Sequence, residues 1–216
     1  MTGEYDQRSR RREYGVRSLR RSDLAADPVE LFARWLQAAT DSGAKDATAM
    51  ALATAGPDGA PSVRIVLLKH FDGRGFCWYS DDRSRKGAEL AENPRASAVF
   101  YWRDFDRQVR ISGSVEKLAA ETSEAYFLSR PEESRFAAAA SVQSAPVGDR
   151  AALKRAVADL RARFPGGGPP RPAQWGGYRL CPDEFEFWQG RSGRLHDRFL
   201  YVPGGEGQWE ARRLQP

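Results

Sequence analysis

Cysteine, histidine and methionine each occur only twice in 216 residues. Cys77 and Cys181 stand far apart and in no CxxC spacing, which excludes a disulfide framework and a cysteine-built structural zinc site. Two histidines are too few for most metal centres, so no metal is expected. No apolar run is long enough to span a bilayer. The opening "MTGEYDQRSR" lacks the apolar stretch of a secretory signal, and Glu4, Asp6 and Glu13 argue against an arginine-rich transit peptide. A soluble cytoplasmic protein with no membrane partner is the expectation. HExxH, Walker A, GxGxxG and any Ser-His-Asp order are also missing. Any chemistry is therefore expected to come from a cofactor.

Charge of one sign is in excess. Lysine and arginine number 34 against 29 acidic residues, and the resulting +5 favours acidic partners: nucleic acid, membrane headgroups or phosphorylated small molecules. Composition does not choose among them. The length suits one substantial core, expected over residues 27–216, behind a basic segment, 1–26. That segment, densest at "RSRRREYGVRSLRRSD", reads on composition as a disordered tail, with an ordered role left open.

A helix is predicted at "DPVELFARWLQAAT": Asp27 caps it, Pro28 fits its first position, and Glu30 completes a capping-box pattern. Leu31, Trp35 and Ala39 form its buried face. "TAMALATA", "APSVRIVLLK" and "GFCWYS", separated by "GPDG" and "FDGRG", predict a three-stranded antiparallel meander. A short helix at "SRKGAELAE" and strands at "RASAVFYW" and "RQVRISGSVEKL" follow. Helices are predicted at "AAETSEAYFLSR", at "PEESRFAAAAS" with Pro131 as first residue, and at "DRAALKRAVADLRARF". The last has an apolar stripe of Leu153, Val157, Leu160 and Phe164. Short strands at "WGGYRL", "EFEFWQG", "GRLHDRFLYV" and "WEARRL" end the chain. The fold class is mainly β with helices (α+β), a closed or split β-barrel.

Several clusters could carry chemistry. In "GRLHDRFLY", strand alternation places Arg194, His196 and Arg198 on one face. Such a face calls either for an anionic or electron-rich ligand or for solvent. In "SRKGAEL", Ser84 can cap a helix whose N-terminus already favours an anion, and Arg85 and Lys86 would complete the site; two solvated surface charges are the other reading. Arg64 and Lys69 bracket "RIVLLK" at odd spacing and reach one site only if the strand bulges or ends between them. "YFLSRPEES" brings Tyr126, Arg130 and Ser134 near a helix end as a receptor for phosphate or as a plain surface cluster. Gln108, Gln143 and Ser144 suit the edge of a heteroaromatic ring and suit ordinary turns equally.

Taken together, "RREY", "RIVLLKHFD", "YSDDRSRKGAEL", "RQVRISG", "YFLSRPEES", "QS", "EFWQGRSGRLHDRFLY" and "RRLQP" run from Arg11 to Pro216 in an order that resembles the pyridoxamine 5′-phosphate oxidase family. The resemblance implies an FMN-binding split β-barrel, homodimeric, with FMN at the subunit interface. It implies oxidation of pyridoxamine 5′-phosphate or pyridoxine 5′-phosphate to pyridoxal 5′-phosphate, with O2 reduced to hydrogen peroxide. For FMN it assigns Arg64, Ile65, Val66, Leu67, Leu68, Lys69, Tyr79, Ser80, Arg85 and Lys86. Gln108, Gln143, Ser144, Trp188 and Arg198 complete the flavin site from both subunits. For the substrate it assigns Lys69, Tyr126, Arg130 and Ser134 at the phosphate and Arg194 and His196, the catalytic pair, beside the ring. Arg11 and Tyr14 match a segment that can fold over the active site, which would make residues 1–26 a lid.

One region departs from the pattern: relatives often carry tryptophan and lysine before the "QS" pair, where this chain has Ala139 and Val142. A phenazine-biosynthesis flavin oxidase is the neighbouring enzyme reading, against which the full phosphate set argues. A non-catalytic FMN or pyridoxal-phosphate carrier and a basic nucleic-acid module are the readings from other classes; the nucleic-acid one would rest on the arginine-rich segment.

Overall fold

The computed structural model describes residues 12–216. They fall into two compact units, and the chain passes from one to the other inside three of its strands. The second unit, Thr48–Val99 and Ile111–Asp183, is built on an antiparallel sheet. Ala49–Ala55 (β1) pairs with Pro61–Leu67 (β2) across the "GPDG" turn, where Gly59 N donates to Gly56 O at 3.0 Å. His70–Asp72 (β3) pairs with Gly75–Asp81 (β4). With Arg95–Trp102 (β5), Arg107–Lys117 (β6) and Trp175–Gln189 (β7), the order is β2-β1-β5-β6-β7-β4-β3.

The expected three-stranded meander does not form. The "FDGRG" turn joins β4 to the short strand β3 and not to β2, so β4 pairs with β3 and β7 while β1 pairs with β2 and β5. Two predicted strands, "WGGYRL" and "EFEFWQG", are a single strand, β7. Pro182 does not break it because it falls between two ladders: residues 175–180 pair with β4 and 185–189 with the strand that follows, so its missing N–H costs neither a bond.

Helices of this unit flank the sheet. Arg85–Glu92 (α2) starts at Ser84, whose side chain accepts from Gly87 N at 3.3 Å. Gly87 is required there, since a Cβ would collide with the Asp82 carbonyl. Ala120–Ser129 (α3) and Glu132–Ala140 (α4) are separated at Arg130–Pro131, with Pro131 standing at the N-cap and not inside the helix. Arg150–Arg163 (α5) buries none of its residues fully; Leu153 of the expected stripe is exposed and Val157, Leu160 and Phe164 are half-buried. Arg161 ties it to α4, pairing with Glu133 at 2.7 Å and lying over the Phe136 ring. The core holds Met50, Leu52, Phe76, Trp78, Ile111 and Leu180, with Trp78 stacked on Tyr178.

The first unit takes the chain up to Ala47, Phe100–Arg110 and Glu184–Pro216. Pro28–Asp41 (α1) is capped by Asp27, which accepts from Val29 N at 2.8 Å, while Glu30 approaches Arg34 one turn on. Leu31, Phe32, Trp35 and Ala39 are buried as the spacing predicts. Phe32 meets Phe100 edge-on and Trp35 meets Phe187. Asp197–Pro203 (β8) pairs with β7, and Trp209–Leu214 (β9) pairs with β8. Residues 12–26 are anchored to this unit: Leu19 is buried, its N–H donates to Asp197, and the Tyr201 hydroxyl donates to Ala25 O. Among the described residues no helix is long and apolar enough to cross a membrane.

Gly113, in the middle of β6, leaves no room for a side chain, because a Cβ would collide with the Cys181 carbonyl. Gly113→Ala is expected to cost about 1–3 kcal/mol, read as a lowered thermal midpoint with unchanged far-UV spectrum.

Candidate active site

One cavity of about 960 Å3 gathers most of the expected site in the second unit. Arg85 and Lys86, at the N-terminus of α2, line it where unpaired N–H groups and the helix dipole favour an anion. Lys86 is buried there, and its ammonium is surrounded by neutral acceptors: Ser80 Oγ at 2.9 Å, Ser84 Oγ at 3.1 Å and Gln143 Oε1 at 2.6 Å. Burial, followed by the Arg64 charge, pushes the Lys86 ammonium down to about 8. Ser144 takes a left-handed backbone, φ 73°, and its Oγ accepts from Arg85 N at 3.2 Å.

Arg64 and Lys69 both line this cavity. The odd spacing that seemed to separate them is resolved because β2 ends at Leu67; Leu68 N donates to Thr48 O and Lys69 N to Cys77 O, so strand alternation no longer applies. Ile65, Val66 and Leu67 also line it, whereas Leu68 does not: its side chain is 4% exposed and belongs to the core. Tyr79, Tyr126, Arg130 and Ser134 also line the cavity. Arg130 is the unusual member. Its Nη1 is buried without a hydrogen-bond partner, and burial lowers its guanidinium from the ordinary range.

The first unit holds the remaining expected residues. Strand alternation from Arg194 is overturned: β8 begins only at Asp197, and Arg194 lies in a 3-10 turn, Ser192–Arg194, with φ 63° at both Gly193 and Arg194. Arg194 is thus presented from a strained turn and not from a strand face. Its guanidinium lies 5.5 Å from the Tyr14 ring centroid. The His196 ring sits 5.0 Å from Tyr14 and 4.7 Å from Trp188. Arg191 N donates to His196 Nδ1 at 3.1 Å, which leaves the proton of the neutral ring on Nε2. Burial and then the Arg194 charge hold this imidazole below its ordinary value. Arg198 is fixed by Glu186 at 2.8 Å and by the Gln215 carbonyl. Gln108 is half-buried on β6. Arg11 lies outside the described residues.

Several residues of these sites were not singled out from sequence. Glu89 accepts from Thr54, Ser62, Arg64 and Arg85, and although burial opposes ionisation these bonds hold its carboxyl at about 2. Its position four residues after Arg85 is the readable signal. Glu186, buried between Arg110 and Arg198, lies on the expected strand but had no local pattern to mark it. Asp106 holds the segment carrying Tyr14, accepting from Gly15 N at 2.9 Å and pairing with Arg12 at 2.6 Å.

Residues 36–164 match the family model "Pyridoxamine 5'-phosphate oxidase", and residues 175–216 match "Pyridoxine 5'-phosphate oxidase C-terminal dimerisation region". The pyridoxine/pyridoxamine 5'-phosphate oxidase of Herminiimonas arsenicoxydans is 50% identical over 95% of this chain and 97% of its own. That of Rubrobacter xylanophilus is 48% identical over 95% and 94%. The chain belongs to the pyridoxamine 5′-phosphate oxidase family. Among solved structures of related proteins, PhzG from Burkholderia lata, in complex with tetrahydrophenazine-1-carboxylic acid, superposes with a TM-score of 0.86 at 37% identity, covering 93% of this chain and 99% of that one. A pyridoxamine 5'-phosphate oxidase-related, FMN binding protein from Nostoc punctiforme gives a TM-score of 0.71 at 17% identity over 89% and 100%. The fold of this family member is the antiparallel split barrel expected from its sequence.

The cavity of this oxidase-family chain should bind a doubly charged anion through charged Lys86, and lose it as Lys86 deprotonates. Sulfate keeps its charge throughout, so its affinity for the ligand-free protein is expected to fall between about pH 7 and about pH 9.5. Lys86→Met should abolish that slope in a calorimetric titration.

Proposed function

We propose that the protein is an FMN-dependent oxidase that converts pyridoxamine 5′-phosphate or pyridoxine 5′-phosphate to pyridoxal 5′-phosphate. The observation that carries the reading is one cavity lined by several cations, which the family resemblance divides into two receptors. One is the α2 N-terminus with Arg64, Arg85 and Lys86, and the other is Lys69, Tyr126, Arg130 and Ser134. Their residues fit FMN and a phosphorylated substrate: Lys86 is a buried cation held only by neutral acceptors, and Arg130 has a buried donor with no partner. Each lacks what a phosphate oxygen supplies.

The overall reaction removes two hydrogens at the substrate's C4′ position and reduces O2 to hydrogen peroxide. For the amine, water is consumed and ammonia is released. FMN would be held by Arg64, Arg85, Lys86, Ser80 and Ser144, and when bound it supplies the two-electron acceptor. The protein's own part is positioning. Anchoring the substrate phosphate on Lys69, Tyr126, Arg130 and Ser134 fixes one end of the pyridine ring. Arg194 and His196 are the groups assigned to the ring's other end. His196, neutral with its proton on Nε2, can donate a hydrogen bond there, while Arg194 supplies fixed positive charge. Asp106 keeps Tyr14 packed against both.

A homodimer is part of this reading. The C-terminal residues match a family model described as a dimerisation region, and Val63, Ile65 and Leu67 expose an apolar row on the edge strand β2. In the same assignment Gln108, Gln143, Ser144, Trp188 and Arg198 complete the flavin site from both subunits. A second reading, oxidation of a phenazine-type tricyclic acid, is supported by the likeness to PhzG.

Purified protein is expected to show a flavin visible band that bleaches on anaerobic addition of pyridoxamine 5′-phosphate; a band that persists would reject the activity. Arg194→Ala should lower turnover of the FMN-saturated enzyme by about 10- to 100-fold, the scale of a lost orienting contact. Wild-type rates in that variant would remove Arg194 from the ring site.

A further inference from the structure

The arginines of the cavity are held in two different ways. Arg64 and Arg85 share the Glu89 carboxylate, at 3.3 Å and 2.8 Å. Arg130 has no ion-pair partner among the described residues, and its contacts are aromatic. Its guanidinium carbon lies 4.8 Å from the Trp175 ring centroid and 5.8 Å from that of Phe127. Trp175 is 7% exposed and tightly fixed. Its backbone N–H donates to Pro172 O, its backbone carbonyl accepts from Arg171 at 2.6 Å, and Phe127 meets its ring edge-on. Its ring is also nearly parallel to Tyr79 and Tyr126, which stack on each other at 3.9 Å.

A carboxylate would hold Arg130 equally firmly, but it would occupy the N–H donors and cancel the charge that an incoming anion needs. The face of an indole attracts the cation through its quadrupole and accepts no such bonds in the guanidinium plane. We propose that Trp175 is a positioning residue of the substrate-phosphate subsite, holding Arg130 by its π face so that the guanidinium donors stay open for the ligand's phosphate. This rests on the assignment of Arg130 to that phosphate. It extends the site to a residue at the start of β7 that lines the same cavity and is given no substrate contact in the reading above.

The test compares holoenzyme variants in steady-state assays with pyridoxamine 5′-phosphate, with flavin content read from the visible spectrum. Trp175→Leu is expected to raise KM about tenfold, the scale of a desolvated cation–π contact. The effect should fall on KM more than on kcat, with flavin retained. Trp175→Phe, which keeps a π face, should recover most of the loss. In an Arg130→Ala background Trp175→Leu should add no further rise. An unchanged KM in Trp175→Leu, a phenylalanine variant as weak as the leucine one, or additive effects in the double variant would each overturn the role. Should the leucine variant fail to fold, Trp175→Met against Trp175→Phe decides: a higher KM for methionine supports the role, and equal values overturn it. If Arg130→Ala alone leaves KM unchanged, the phosphate assignment itself falls. A raised KM there with additive Trp175 effects overturns only the positioning role.

Discussion

Burying positive charge with no carboxylate in direct contact, as at Lys86 and Arg130, is the constraint on which the cavity depends. Lys86 shows it most clearly. Its three ammonium donors meet Ser80, Ser84 and Gln143, all neutral, and burial lowers its affinity for the proton. A buried cation in this condition gains more from an arriving anion than an exposed one would, because the desolvation cost has already been met by folding. Local structure is arranged around it. Gly87 lets α2 begin against the Asp82 carbonyl, Ser84 caps the helix, and Gln143 is brought in from the segment after α4.

Glu89 works in the opposite sense and makes the concentration of charge tolerable. It stays ionised among Thr54, Ser62, Arg64 and Arg85, and so keeps two guanidiniums close together that would otherwise repel. The cavity therefore contains arginines of two kinds: those tethered by a carboxylate, with part of their charge cancelled, and Arg130, tethered by aromatic rings with its charge intact.

Much of the second unit was legible because its signals are local. The cap at Ser84, the turn at "GPDG" and the buried face of α1 in the first unit each depend on residues within one or two turns of chain. What failed was long-range or conformational. Pairing of β4 with β7 instead of β2 involves residues about a hundred positions apart, such as Trp78 and Tyr178, and no local pattern encodes it. The "GRLHDRFLY" segment failed for another reason: period-two alternation presumes extended backbone, and left-handed Gly193 and Arg194 abolish it. Gly193 was a readable warning, but a left-handed arginine after it was not. Parity also misled at Arg64 and Lys69, where the strand simply ends between them.

Under the proposed assignment, charge count favours the phosphate reading over the phenazine one. Arg130 and Lys69 both line the cavity, and neither has an ion-pair partner among the described residues. Two uncompensated cations match a phosphate monoester, which carries about −1.5 to −2 near neutrality. A carboxylic acid brings one negative charge and would leave one of them unpaired in a cavity where Arg130 already lacks a bond. The tyrosine and serine hydroxyls of Tyr126 and Ser134 add donors that a three-oxygen group can fill and a two-oxygen group cannot fill as completely. The same fold could serve either ligand, but on the proposed assignment the surplus of charge and donors among these residues is proportioned to a phosphate.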